Sequence, residues 1–291
     1  MSGKNLEEIQ KELRREQRKT NIHRLLHNRF VVLGILIVVL LFITAIFAPV
    51  LSPGDPYELD VTQRLKTPSA EHVLGTDTFG RDLLSRIIYG ARISTYVGGV
   101  VAAAALIIGL IIGLYAGYYP RVDKISMRIC DGLKAIPSIL LAIALVAVLG
   151  AGTTNIIISL TIVYFPDIAR ITRSVAMKVR EQTYVEALKA SGASDTRIIW
   201  GNILPNVISP VLVQVSFIFA NAVITEASLS FLGVGIPVPE PSWGNIINEG
   251  KTVIYQAWWL IIFPAIATAL SVLGLNLLGD GLRDYLDPLS N

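Results

Sequence analysis

The residues best suited to specific chemistry lie between Glu186 and Pro205, in the stretch EALKASGASDTRIIWGNILP. Charged side chains alternate there with good helix formers, and Gly192 is placed to end a helix. Ser194 can then cap a second helix, with Asp195 in its positively polarised first turn. The pattern predicts two short helices bent at Gly192, and the chemistry expected of such a segment is recognition of another surface.

An apolar side on the second helix indicates what this segment touches. Ile198, Ile199 and Ile203 share that side, just before Leu204 and Pro205 lead into a hydrophobic run. Amphipathic helices of this kind dock in grooves on partner proteins. A helical hairpin without a partner fits the same pattern equally well, so the residues alone leave both interpretations open.

The rest of the chain offers no catalytic or metal-binding pattern. Residues 244–252, GNIINEGKT, resemble a phosphate-binding loop, but five residues separate the glycines and no strand precedes them. His23 and His27 are spaced to share a helical face, yet no third ligand is nearby in sequence. The lone Cys130 excludes an intrachain disulfide. We therefore expect neither an enzyme nor a chain that binds ATP or metal itself.

Composition places the charged stretch in a membrane protein. The 291 residues are 53% hydrophobic and 16% charged, with a mean hydropathy of +0.58, whereas soluble domains carry about 25% charged residues. Runs without Asp, Glu, Lys or Arg occupy 30–50, 94–119, 135–166, 206–225 and 257–279. Several of these runs reach the ~20 residues that cross a bilayer. The net charge of +3 gives no indication of nucleic-acid binding.

The charges of the loops predict six spans, with both termini in the cytoplasm. Basic loops remain cytoplasmic, and Lys and Arg outnumber Asp and Glu in 119–134 and in 167–205. An even number of crossings must therefore lie between these two loops. This divides the uncharged run 135–166 into two short spans, at about 134–150 and 153–170.

The same topology divides the chain into parts. They are a cytoplasmic amphipathic arm at 1–29, a first span at 30–50, an outer loop with an interfacial helix at 51–93, and a five-helix core at 94–291 that includes a cytoplasmic loop at 170–205. The expected fold is all-α and integral to the membrane.

Small and charged residues within the spans predict specific helix contacts. Gly109, Gly113 and Gly117 recur every four residues and would let a neighbouring helix backbone approach closely. Asp167 is expected to pair with Arg170 one turn later, the alternative being that Asp167 lines a pathway.

A stripe of polar residues marks the fifth span. Gln214, Asn221 and Thr225 are spaced by seven and four residues, which places them on one side of a helix. Polar residues inside a membrane are costly unless they face water or a partner. The stripe therefore predicts either the lining of a translocation path or hydrogen bonding to another span, and the sequence favours neither.

The stretch 186–205 resembles the EAA loop of binding-protein-dependent ABC importer permeases. The matching residues are Glu186, Ala187, Gly192, Leu204 and Pro205, and the departures are Leu188 and Asn202. Three further stretches resemble the second, shorter permease subunit of dipeptide, oligopeptide and nickel importers. They are HVLGTDTFGRDLLSRIIYGARIS (72–94), EASLSFLGVGIPVPEPSWGNII (226–247) and NLLGDGLRDYLDP (276–288).

The resemblance implies the transmembrane domain of a type I ABC importer, with six transmembrane helices in the lipid of a cell membrane. It also implies a homologous permease, two ABC ATPase subunits and an extracytoplasmic binding protein as partners, with no nucleic acid. The ATPase chains would bind ATP and Mg, this chain would bind no cofactor, and the cargo would be di- or oligopeptides. The residues that couple to an ATPase would be Glu186, Ala187, Gly192, Ala193, Asp195, Leu204 and Pro205. Nickel, glutathione or another small solute is the alternative cargo, and a self-sufficient secondary transporter is the alternative class.

Overall fold

The computed structural model describes residues 28–286, and every regular element in that range is a helix. In chain order the helices are α1 (Arg29–Ile46), α2 (Ala48–Leu51), α3 (Leu83–Tyr118), α4 (Pro120–Lys134), α5 (Ser138–Leu149), α6 (Thr153–Arg180), α7 (Thr183–Ala190), α8 (Asp195–Ile198), α9 (Leu204–Phe231), α10 (Trp243–Gly250) and α11 (Trp259–Leu286). The arm predicted at 1–29, with His23 and His27, lies almost entirely outside the described residues.

The all-helical membrane fold expected from the sequence is confirmed. Five helices of the described range are long and apolar enough to cross a membrane, or six if one bent pair counts as a single span. That pair is α4 and α5, which meet at 94°. Since α5 has 12 residues, it is only about 18 Å long. The span predicted at about 134–150 is therefore a short helix joined to a second helix at a sharp bend.

Helix α3 differs from the sequence prediction in its length. The interfacial helix expected before residue 94 and the span expected after it form one continuous helix of 36 residues. Asp82 caps its start, because the carboxylate accepts the backbone N–H of Ser85 at 2.8 Å. Nothing between Leu83 and Tyr118 breaks the helix, so the apolar periodicity of its first turns marks a packed face of a long helix.

Helices α3 and α6 pack backbone to backbone through the predicted glycines. Three residues of α6 each face one of them: Ile168 faces Gly109, Thr172 faces Gly113, and Ala176 faces Gly117. A Cβ atom added at Gly113 would lie 2.4 Å from the Cβ of Thr172 and 2.6 Å from the carbonyl oxygen of Ala169. Such distances leave no room for a side chain, and the close packing predicted for this stripe is confirmed.

Ion pairs hold α4 alongside α6, and they correct one prediction. The pairs are Lys134 with Asp167, Asp131 with Arg170, and Asp123 with Arg173. The Nζ atom of Lys134 lies 2.6 Å from the carboxylate of Asp167, so the predicted pairing of Asp167 with Arg170 is wrong. Sequence spacing pointed to the nearest cation on the same helix, whereas the bend after α4 brings Lys134 closer.

A buried cluster of four charges joins the outer loop to the start of α3. Arg86 is fully buried and donates to Asp77 at 2.6 Å and to both carboxylate oxygens of Glu249 at 2.6 and 2.9 Å. Arg81 binds the same two carboxylates at 2.6 and 2.9 Å. The two positive charges balance the two negative ones, although the Nε atom of Arg86 forms no hydrogen bond with any described residue. The stretch 244–252 that resembles a phosphate-binding loop begins within α10, which supplies Glu249.

Substitution of Gly113 by Ala is expected to destabilise the fold by about 1–3 kcal/mol, because the new methyl group overlaps α6. Gly132 provides the matched control, since a Cβ added there meets no atom within 4 Å. Gly132→Ala on α4 should be neutral or stabilising by up to ~1 kcal/mol, as alanine is the better helix former. Thermal unfolding of the purified protein in detergent measures both. Equal melting temperatures for the two variants would contradict the close contact between α3 and α6.

Candidate functional site

Helix α7 ends at Ala190, and Gly192 closes it as the sequence predicts. The glycine has φ +79°, a left-handed conformation that side chains disfavour. The backbone N–H of Gly192 donates to the carbonyl oxygen of Lys189 at 3.0 Å, and that of Ala193 donates to Leu188 at 3.0 Å. These two hydrogen bonds run from the residues after the helix back to carbonyl groups of its last turn. They form the Schellman motif, which closes a helix and turns the chain.

The predicted cap of the following helix differs in detail. Ser194 occupies the capping position with extended backbone angles, but its side chain forms no capping hydrogen bond. Asp195 lies in the first turn and faces the end of α3 instead. Its carboxylate accepts the phenol hydroxyls of Tyr118 at 2.6 Å and Tyr119 at 2.8 Å. The bend after α7 is therefore attached to the end of a membrane helix.

Tyr118 contacts three residues of the loop 170–205. Besides the bond to Asp195, its backbone carbonyl accepts Nη1 of Arg180 at 3.1 Å, and the Nζ atom of Lys189 lies 4.7 Å from its ring centroid. The hydrogen bond to Asp195, followed by burial, raises the pKa of Tyr119. Because a raised pKa keeps the phenol protonated, Tyr119 continues to donate to the carboxylate under ordinary conditions.

The apolar side of the loop is not open to a partner. Ile198, Ile199 and Ile203 are 0%, 1% and 0% exposed and belong to the main core of the protein. Of the two interpretations that the sequence left open, docking of this apolar side in a groove on another chain is wrong, because the three isoleucines hold the loop on its own bundle. The exposed side of the loop instead presents Tyr184 and Trp200, which are 41% and 40% exposed.

The predicted coupling residues divide by exposure. Glu186, Ala187, Gly192, Asp195 and Pro205 are exposed, whereas Ala193 and Leu204 are half-buried against the core. The exposed residues and the two exposed aromatic side chains lie within one short segment of the chain. This arrangement gives the loop one side fixed to the bundle and one side free for contact.

A wide helical turn joins the loop to α9. Residues Ile199–Ile203 form a π-helix that continues directly into Leu204. From the start of α8 to the end of α9 the chain forms one helix, Asp195–Phe231, that is long and apolar enough to cross a membrane. Pro205 has no N–H to donate, and its ring crowds the preceding turn. A wider turn relieves that crowding, and π-turns recur at functional positions of helices. The loop therefore continues into α9 without a break in the helix.

The predicted polar stripe of α9 does not share one environment. Thr225 is buried and its hydroxyl lies 2.7 Å from the phenol oxygen of Tyr164 on α6. The side chain of Asn221 is exposed and that of Gln214 is half-buried. Thr225 thus takes part in packing between α6 and α9. A role in the path stays a prediction for the stripe, with Asn221 its most accessible member.

Comparison with known protein families decides the class. A family model described as a binding-protein-dependent transport system inner membrane component matches residues 105–290, which include the whole loop. The chain belongs to this family. A second model, the N-terminal transmembrane domain of oligopeptide transport permease C, matches residues 17–68. The chain is thus a multi-pass inner-membrane permease component with the fold of a type I ABC importer transmembrane domain, and such a component is not itself catalytic.

Named relatives of this permease component extend over nearly its full length. A protein of Brucella abortus biovar 1, provisionally named a peptide transport system permease protein, is 46% identical over 91% of this chain and 90% of its own length. A dipeptide transport system permease protein of Alkalihalophilus pseudofirmus is 44% identical over 90% of this chain and 86% of its own. A glutathione transport system permease protein of Pectobacterium atrosepticum is 43% identical over 91% and 89%.

Sequence reasoning missed the residues that anchor the permease loop. Tyr118 and Tyr119 lie at the end of the uncharged run and directly before Pro120, which is a helix-boundary signal. That signal marks a helix end but not its partner, because Asp195 lies 77 residues away from Tyr118. The cluster around Arg86 was missed for the same reason, since Glu249 is 163 residues away.

The variant Asp195→Ala is expected to loosen the loop, because it removes the acceptor shared by both phenols. Hydrogen exchange of residues 183–203 should become severalfold faster, with exchange in α3 unchanged. The double variant Tyr118→Phe and Tyr119→Phe should reproduce the effect from the other side. Thr196→Ala, at an exposed neighbouring position, serves as the control. If residues 183–203 exchange as slowly in Asp195→Ala as in wild type, the hydrogen bonds of Asp195 do not hold the loop.

Proposed function

We propose that this chain is the permease subunit of an ATP-driven peptide importer, and that the loop 183–203 receives force from an ATPase subunit. The observation that carries the proposal is the geometry of the loop. Its exposed side is free for contact, its buried isoleucines fix it to the bundle, and its last turn continues into α9. Family membership supports the same assignment.

The proposed assembly contains a homologous permease, two ABC ATPase subunits and an extracytoplasmic binding protein. ATP and Mg bind to the ATPase subunits, and this chain binds neither. Closure of the ATPases presses on the exposed side of α7, where Glu186 and Ala187 lie. The bond between Asp195 and Tyr118 passes part of that displacement to α3, and the π-turn passes the rest to α9. Both helices then reorient around a path between the two permeases.

The orientation that fits this assembly places both termini and the loop 183–203 in the cytoplasm. Lys and Arg outnumber Asp and Glu in 119–134 and 167–205, and basic loops remain cytoplasmic. The buried cluster around Arg86 and helix α10 then lie on the outer side, where a binding protein arrives. A cysteine introduced at exposed Glu186 should react with a membrane-impermeant thiol reagent only in inside-out vesicles.

Short peptides are the proposed cargo. Relatives of comparable identity carry names for peptide, dipeptide and glutathione transport. Glutathione is itself a modified tripeptide, so these names describe small solutes with amide bonds and charged ends. A glutathione importer is the second candidate, and its support is the 43% identity to the glutathione permease over most of both chains.

The assembly is tested by purifying this chain from its native host under mild detergent conditions and identifying the proteins that remain bound. The proposal expects two ATPase subunits and a second permease in stoichiometric amounts. The purified assembly should hydrolyse ATP faster when its binding protein carries a peptide. A chain that purifies alone and transports solute down an ion gradient would be a secondary transporter instead.

Substitution of Gly192 by Val is expected to uncouple ATP hydrolysis from uptake without preventing membrane insertion. The left-handed backbone of Gly192 costs a branched residue about 1–2 kcal/mol, whereas open space surrounds its Cβ position. Gly192→Asn is the matched control, because asparagine adopts this conformation far more readily. Uptake and ATPase rate are measured together in vesicles. If both variants lose the same share of uptake relative to ATP hydrolysis, the effect comes from side-chain volume and not from the bend.

A further inference from the structure

A large cavity lies between α1, α3 and the start of α6, away from the loop 183–203. Its volume is about 1000 Å³, and Tyr57 of the outer loop contributes to one side. The cavity is open to the surface of the chain, since Ile46 and Tyr96 are 66% and 58% exposed. Aromatic and aliphatic side chains form most of its wall, including Phe42, Ile46 and Tyr96. Cavities with mainly apolar walls and a few placed polar groups are the usual form of small-molecule sites.

One positive charge and one negative charge face this cavity. Arg92 on α3 is exposed, and no hydrogen bond or ion pair within residues 28–286 engages it. Glu240, between α9 and α10, is half-buried, and its carboxylate accepts only the hydroxyl of Thr153 at 3.1 Å in the same range. Burial, followed by the negative charge of Glu240, raises the pKa of Tyr57 on the cavity wall.

The position of Arg92 in the membrane limits what it can face. It lies nine residues after the start of α3, about 14 Å along the helix, and directly before the uncharged run 94–119. A guanidinium group at the edge of the hydrocarbon is costly unless water, a partner or a ligand surrounds it. Because Arg92 is exposed beside a cavity that also holds a carboxylate, a ligand with charges of both signs fits best.

We propose that this cavity binds a short peptide with both ends free, with Arg92 binding the carboxylate and Glu240 binding the ammonium group. The inference rests on the proposed function and assigns to it a site at the outer end of the path. The apolar wall accepts varied side chains, while the charged groups recognise what all such peptides share. Selection therefore acts on the two ends rather than on sequence.

The test uses the complete purified transporter without its binding protein and measures binding of radiolabelled Ala-Phe, its N-acetyl form and its amide. Arg92→Gln should weaken binding of Ala-Phe at least about tenfold, as expected when a charged hydrogen bond is lost, and should leave binding of the amide unchanged. Glu240→Gln should weaken Ala-Phe similarly and leave the N-acetyl form unchanged. The matched controls Arg64→Gln and Glu58→Gln, at exposed positions of the outer loop, should bind all three ligands as wild type does.

Three results overturn the inference. Wild-type affinity in both cavity variants would show that the charged pair does not bind peptide ends. An equal loss for all three ligands would indicate a structural role. If the cavity variants bind all three ligands as wild type does, but differ from wild type in melting temperature in phosphatidylethanolamine vesicles, the cavity holds a lipid headgroup. In each case a transporter that still imports peptide with ATP would leave the proposed function intact, whereas absence of import in wild type would refute that function first.

Discussion

The close packing of α3 against α6 is the constraint on which the other features depend. Glycines at 109, 113 and 117 leave no space for side chains between the two backbones, so the register of the pair is fixed. One end of α3 then carries Tyr118, which holds the loop through Asp195. Its other end carries Arg86, whose buried charge is balanced by the outer loop and α10. A shift along this contact would disturb both ends together.

Two kinds of polar contact connect this rigid pair to the parts around it. The charged cluster on Arg86 is buried, so loss of one member would leave an uncompensated charge, which is strongly unfavourable. The bond from Asp195 to Tyr118 is more exposed and therefore easier to rearrange. The fold thus combines a buried charged cluster near one end of α3 with a more exposed hydrogen bond at the other end.

Local features of the chain could be predicted from its sequence. The all-helical membrane fold follows from uncharged runs, the bend at Gly192 follows from its position after good helix formers, and the glycine stripe follows from a spacing of four residues. Each of these rests on residues that are close in sequence. The identity of the loop came from resemblance, since two bent helices alone fitted a hairpin equally well.

Contacts between distant residues could not be predicted in this way. Asp167 was assigned to Arg170 because both lie on one helix, while its partner Lys134 is brought in by the bend after α4. For the apolar side containing Ile198 the sequence left two interpretations open, because an amphipathic pattern shows that a face is covered but not what covers it. Arg92 and Glu240 are separated by a long stretch of chain, and only the fold places them at one cavity.

The most direct test of the account is peptide uptake into vesicles of defined composition. Vesicles that contain this chain, its sister permease, both ATPase subunits and the binding protein should accumulate peptide only when ATP is supplied. Vesicles that contain this chain alone should accumulate none, with or without an ion gradient. Uptake by this chain alone would contradict the central claim that the loop 183–203 receives its force from an ATPase.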